Sequence, residues 1–332
     1  MAADATDRRR AVRDGSLPSK WSRAPNILRP LAPVLVLLGL VAALGVFEPS
    51  FLSFYSLTVL AGESSVILLL ATAQTVVILL GCIDLSMAAL ASLASVLIAF
   101  ALPFAGLPGL LAVLGLTTGL GALQGFIHAR AQVPSFVVTL AGMGLCSGAA
   151  LAISPATIPV AAGYEIVGWL RGKLLGLPTA FVFAASLLVL LAALLRWMPL
   201  GRHVYAIGMG ETAALLSGIR VARTKVLAFA LTGLFAGLAG MLLVARTRGG
   251  HPSVADSLLL PSIAAVVVGG TAITGGLGGM WRTLAGVLII AVLRVGIAVA
   301  GLDPGYEPLA YGAVIVAAVV LTIDRSRTTI VK

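Results

Sequence analysis

Charge is scarce in this chain. Of its 332 residues only 10% are Asp, Glu, Lys or Arg, against 60% that are hydrophobic, and 12 in all are acidic. A soluble globular domain carries about 25% charged and about 45–50% apolar residues, so the composition excludes one. Cysteine and histidine are scarcer still. The two cysteines, Cys82 and Cys146, lie in or beside apolar blocks, form no disulfide framework, and read as packed small residues. His128, His203 and His251 are scattered without ligand spacing, which argues against a metal site. The short alternating segments of a β-barrel are missing. So is a phosphate loop: residues 168–173 have the wrong spacing, and Leu174 stands where Ser or Thr is required. No nucleophile, base and metal-ligand set clusters anywhere, which disfavours a membrane enzyme.

What remains is long apolar blocks and a mean hydropathy of +1.10. A helix crosses a bilayer in about 20 residues, and in lipid only helices and closed barrels satisfy their own backbone. The expected fold is therefore an all-α polytopic membrane protein of about ten transmembrane helices. The spans are placed at 31–47, 57–80, 84–104, 107–129, 134–154, 178–196, 225–245, 258–276, 281–300 and 306–323. The eighth is glycine-dense ("VVVGGTAITGGLGG", 266–279) and is expected to be broken or re-entrant; close helix packing would also account for its glycines. The polar residues 1–30 are too long for a signal-peptide leader and form a cytoplasmic basic tail ahead of a retained anchor. Residues 31–323 form the membrane domain, and 324–332 a cytoplasmic C-terminal tail. With both termini inside, 17 Lys/Arg fall in inside segments and 4 in outside ones, with Arg294 within a span, as the positive-inside bias demands.

The longest polar interruption after the tail is the inside loop 197–224. Within it Glu211, Thr212, Ala213, Ala214, Leu215, Leu216, Ser217 and Gly218 read as a short helix. Glu211 sits in the first turn, where the helix dipole favours an acid, and Gly218 suits a left-handed C-terminal cap. Such a helix is too short to stand alone. It either folds back onto the membrane domain or inserts into a partner.

Polar residues within spans each ask for an explanation. Gln74, Gln124 and Thr139 suit hydrogen bonding to a neutral polyol in a substrate pathway; bonds between helices are the alternative. Glu63 and Arg294 both fall in the outer half of the membrane, so they are expected to pair. The stretch GCIDLS (81–86) places Asp84 at the inner boundary between two spans. There it would cap the next helix through the amide of Ser86 or Met87, with Gly81 permitting the turn. The alternative for Asp84 is a contact with a partner or a part in gating.

Four stretches taken together resemble the ABC-transporter permeases of the ribose/xylose/arabinose type. They are "GCIDLSMAAL" (81–90), "VPSFVVTLAGM" (133–143), "GRHVYAIGMGETAALLSGIRVARTKVLAFALTGLFAGLAGMLL" (201–243) and "SIAAVVVGGTAITGG" (262–276), in the family's order, and the likeness covers about 50–325. The resemblance implies a multi-pass plasma-membrane importer subunit, paired with a second copy or a related permease. It implies that 211–218 contacts a cytoplasmic ATPase that binds the ATP and magnesium, so that this chain holds no cofactor and no catalytic residue. It also implies a secreted binding protein that delivers a monosaccharide. The chain departs from the family pattern in three places. Cys82 replaces a glycine, residues 257–261 ("SLLLP") replace a Gly-Tyr-Glu-Leu-acidic pattern, and Arg294-Val295 replaces Asn-Asn, which leaves the solute open. An ion-coupled secondary transporter is the competing class, but it wants ionisable groups near the midplane, where this chain has few.

Overall fold

The computed structural model describes residues 32–322; the tails 1–30 and 324–332 lie outside them. Twelve α-helices carry the fold of the described residues: α1 Ala32–Phe47, α2 Phe54–Leu79, α3 Met87–Ala131, α4 Ser135–Ile153, α5 Glu165–Gly168, α6 Thr179–Trp197, α7 Pro199–Met209, α8 Glu211–Leu216, α9 Val221–Thr247, α10 Leu259–Val268, α11 Met280–Val299 and α12 Glu307–Thr322. Among them α2, α3, α4, α6, α9 and α11 are long and apolar enough to cross a membrane. Four two-residue strands form small ribbons, β1 Ile158–Pro159 with β4 Gly249–Gly250 and β2 Lys173–Leu174 with β3 Leu177–Pro178, both antiparallel.

The third and fourth expected spans appear as one 45-residue helix, α3, but it is not straight. Gly106 has φ 53 and ψ −133, outside helical space, and separates an arm 87–105 from an arm 107–131. Only glycine takes that conformation readily. The two arms pack on α9 in opposite senses. Asp84, just ahead of α3, meets Thr232 and Gly240 faces Ala91, so the first arm runs parallel to α9. Gly233 faces Thr117 whereas Gly125 faces Val226, so the second arm runs antiparallel. At 1.5 Å per residue the arms are about 28 and 37 Å long.

The core is built around α2 and α9. From Ser64 to Leu79 every residue of α2 is buried, as expected of a helix that is apolar all round. The seam between α9 and the second arm of α3 is a contact of backbones. A methyl group added to Gly121 would lie 2.2 Å from the Phe229 carbonyl oxygen, and one added to Gly233 would lie 2.1 Å from that of Thr117. Small residues let helices approach this closely where lipid supplies no hydrophobic drive.

The glycine-dense eighth segment is helical only over Leu259–Val268, about 15 Å of α10. The segment 258–276 is thus a broken helix, one of the two forms expected of it, and not a continuous span. Residues 269–279 form a loop that tucks beneath α2: the Gly276 amide donates to the Leu79 carbonyl at 2.9 Å, and Gly275 approaches Gly81 and Gly208. This is the end of the molecule that carries α7 and α8, hereafter the basal end; Thr247 ends α9 at the opposite, distal end.

Candidate functional site

At the basal end α8 projects from the membrane domain. It is six residues long, shorter than the eight expected. Gly210 precedes it, and Gly218 closes it at φ 80. The amides of Gly218 and Ile219 donate to the carbonyls of Leu215 and Ala214, which is a Schellman closure. Ser217 returns its hydroxyl to the Ala213 carbonyl at 2.9 Å. Both carboxylate oxygens of Glu211 accept from Lys225 Nζ at 2.8 Å, and the lysine is 6% exposed. Lys225 sits in the first turns of α9, so one charge pair ties the short helix to a core helix. Ala214 packs inward, whereas Thr212, Met209, Leu215 and Leu216 face out, with Leu216 85% exposed. Beside it, Tyr205 of α7 donates to the Gly278 carbonyl at 3.1 Å; burial raises its phenol above the usual value, so it stays a donor.

The GCIDLS turn lies deeper than the expected inner boundary. Asp84 is wholly buried and faces Thr232, eleven residues into α9 and so about 16 Å from its basal end. Its Oδ1 accepts from the amide and hydroxyl of Ser86 at 2.8 and 2.7 Å, and its Oδ2 accepts from the Thr232 hydroxyl at 2.8 Å. The expected bond from the Ser86 amide forms, but Ser86 is itself the N-cap of α3, so Asp84 closes the turn ahead of the helix and does not cap its first-turn amides. The bond to α9 was not foreseen, and it makes Asp84 a clamp between two helices. Gln124 Oε1 lies 2.9 Å from the Ser86 hydroxyl and is a second acceptor for its one proton, in competition with Asp84. Gly81, at φ 75, turns the chain here.

Cys82 does more than fill space. His128 Nδ1 lies 2.7 Å from the Val133 carbonyl and must donate to it, so Nε2 is left as the acceptor for the Cys82 thiol at 3.4 Å.

The polar residues placed in a substrate pathway separate into three kinds of site. Gln124 bonds between helices as described. Thr139 returns its hydroxyl to the Ser135 carbonyl at 3.0 Å, one turn back in α4. Gln74 is fully buried, and among the described residues neither polar atom of its amide has a partner. An orphaned buried amide costs about 1–3 kcal/mol. Gln74→Met, similar in volume, is therefore expected to raise the thermal unfolding midpoint in detergent or leave it unchanged; a clear drop would reveal a bound partner for the amide.

Glu63 and Arg294 approach at 3.8 Å, but each has a better partner. Glu63 takes two bonds from Arg246, at 2.5 and 2.7 Å, and Arg294 donates to Glu307 at 3.1 Å, which also accepts from Tyr311 at 3.0 Å. The expected pair is thus the weak link in a chain of four charges. Sequence reading missed Arg246 by assigning it to a loop, whereas it lies in the last turn of α9. These groups are 18–50% exposed, so each pair is worth under about 1 kcal/mol. Combining Glu63→Arg with Arg246→Glu should restore expression and stability more fully than combining it with Arg294→Glu. Thermal melts of the two double variants decide this. Beside the network a cavity of about 510 Å³ opens at the distal end, lined by Tyr55, Thr58, Glu63, Lys173 and Arg246 among others.

Also missed were Ser92 and Ser95 of α3, both fully buried. They hold residues 251–256, between β4 and the 3₁₀ turn Asp256–Leu258, where the backbone has no helix or strand partner. Ser95 Oγ accepts from the His251 amide at 3.2 Å, and Ser92 Oγ accepts from the Ala255 amide at 3.0 Å and donates to Asp256 Oδ1 at 3.3 Å. The run 257–261, where the chain departs from the pattern it resembles, ends the short 3₁₀ turn Asp256–Leu258 and begins α10.

Comparison with known proteins places this architecture. Residues 56–322 match the family model described as "Branched-chain amino acid transport system / permease component". The chain is 37% identical to the ribose import permease protein of Bacillus subtilis (strain 168), covering 91% of this chain and 95% of that one. It is 33% identical to the fructose import permease protein of Rhizobium meliloti, over 87% and 84%. To the D-allose transport system permease protein of Escherichia coli (strain K12) it is 30% identical, over 85% and 88%. No solved structure matches.

Proposed function

This chain belongs to the monosaccharide branch of the ABC-transporter permeases, and on that premise we propose that it is the membrane-spanning subunit of an ATP-driven sugar importer. It is a multi-pass protein of the bacterial inner membrane. In this reading the chain crosses ten times: α1, α2, the two arms of α3, α4, α6, α9, the broken segment 248–268, α11 and α12. Both termini and the basal end then face the cytoplasm, consistent with the basic residues gathered on that side. The observation that carries the proposal is α8. An exposed apolar surface of Leu215 and Leu216 on α8, continued by Met209 at the end of α7, marks a contact with another protein. Glu211 and Lys225 fix that surface to α9, so a partner that moves α8 pulls on the core.

The partner is a cytoplasmic ATPase that binds ATP and magnesium and performs hydrolysis, and this chain carries out no catalysis of its own. A second copy or a related permease completes the pathway, and a secreted binding protein delivers the sugar. The names of the relatives point to ribose, fructose or allose as first substrates to test. Uptake into proteoliposomes separates this from an ion-coupled transporter. Uptake that needs ATP and the ATPase and survives an uncoupler supports the proposal; gradient-driven uptake by this chain alone overturns it.

A further inference from the structure

The segment between α9 and α10 is irregular where a membrane protein has least room for it. Gly240 of α9 faces Ala91 and Ser95, seven residues before the helix ends at Thr247, so this level lies about 10 Å below the distal end. After Thr247 the chain returns to that level. Gly250 fits so tightly that an added methyl would lie 2.2 Å from the Ser95 carbonyl oxygen, and the bonds to Ser95 and Ser92 hold 251–256 beside the first arm of α3. Only then does α10 begin, running toward the basal end. The crossing is thus half irregular chain and half helix. Non-helical backbone at membrane depth survives only where protein buries it or where it borders water.

Here one side is not buried by the described chain. Ser253, Asp256 and Ser257 are all exposed, and no described cation lies within ion-pair distance of Asp256. A carboxylate on so short a stem cannot snorkel 10 Å to the headgroups. Facing lipid it would cost up to about 2.5–3.5 kcal/mol, the figure for a charge at the bilayer centre. Lipid is thus excluded on that side, which leaves the second permease and the water-filled path between the two subunits.

We propose that the translocation pathway runs past this break, and that Asp256, with the hydroxyls of Ser253 and Ser257, hydrogen-bonds the travelling solute. One carboxylate acceptor close in sequence to two hydroxyls, that of Ser253 also 3.1 Å from His251 Nδ1, with no described cation in ion-pair distance, suits a neutral polyhydroxy compound; an anion would be repelled. Ser92 is the positioning residue, its hydroxyl holding both the Ala255 amide and the Asp256 carboxylate. The solute class rests on the sugar-importer reading, whereas the water-filled pathway does not.

The test uses the assembled transporter in proteoliposomes. Ser257→Cys, or Ser253→Cys should the first not assemble, is treated with a charged, membrane-impermeant methanethiosulfonate. Leu145→Cys, in the middle of α4 and 75% exposed, is the lipid-facing comparison, and the unmodified protein gives the background from buried Cys82 and Cys146. Labelling at 257 or 253 at least about tenfold faster than at 145 is expected; equal rates overturn the pathway. Uptake of D-ribose, D-fructose and D-allose is then compared in Asp256→Asn and Asp256→Leu. A loss of about tenfold or more with Leu, carried by a raised KM and partly spared with Asn, is expected. Unchanged uptake with Leu overturns the solute contact. If the unmodified transporter takes up none of the three sugars, the monosaccharide reading falls, and the labelling rates still decide the pathway.

Discussion

Leu215→Asp abolishes ATP-driven uptake while the protein still inserts and purifies as a folded species. Leu215 is 61% exposed on α8 and has little to lose within its own chain. Its side chain has value only once a partner covers it, and a carboxylate forced into an apolar cleft defeats that contact. An interface anchor of this kind is worth 2 kcal/mol or more, roughly thirtyfold in affinity. Glu211→Lys reaches the same end by another route. It sets a second cation against Lys225, which is almost fully enclosed, and frees α8 from its one charge tether among the described residues. Because Glu211 is itself half exposed, solvent screens the repulsion, and the cost falls on helix position more than on global stability. Co-purification of the ATPase, ATP-dependent uptake and a thermal melt separate these outcomes. Normal transport in both variants would remove α8 as the docking element.

Asp84→Leu is the second large effect. It strands the Ser86 amide, a fully buried donor with no other acceptor, and removes the bond that joins the start of α3 to Thr232 of α9. The two hydroxyls keep alternatives, the Gln124 carbonyl for Ser86 and the Phe229 carbonyl for Thr232. The loss is therefore on the order of 3 kcal/mol, one buried orphan plus one helix-to-helix bond. Asp84→Asn keeps an acceptor for Ser86 and offers Thr232 a donor, so it should cost under about 1 kcal/mol on the same scale. Asp84→Ser falls between, since one hydroxyl cannot reach both Ser86 and Thr232. Unfolding midpoints in detergent test the order, and an Asn variant as damaged as Leu would discard the clamp.

Much of this molecule can be read along the chain. Apolar blocks announce helices because lipid permits little else, and the short α8 shows itself through Gly210, Glu211 and Gly218, whose roles are local. The bond from the Ser86 amide to Asp84 is likewise a local matter of two nearby residues. What escapes sequence reading is the partner contributed from far along the chain. Thr232 for Asp84, Arg246 for Glu63, Glu307 for Arg294 and Lys225 for Glu211 all depend on how helices stack. A hydropathy block also conceals the difference between a helix and a pinned loop. Residues 248–258 are irregular because Ser92 and Ser95, more than 150 positions earlier, supply the hydrogen bonds that a helix would have made for itself.

The glycine seam between α9 and the second arm of α3 carries one more consequence. Backbone rests on backbone there, so no side-chain rotamer stands ready to absorb a displacement. Those two helices, and the Asp84 clamp beside them, travel as a single stiff beam. Whatever cycle the transporter performs, its hinges must lie outside this seam.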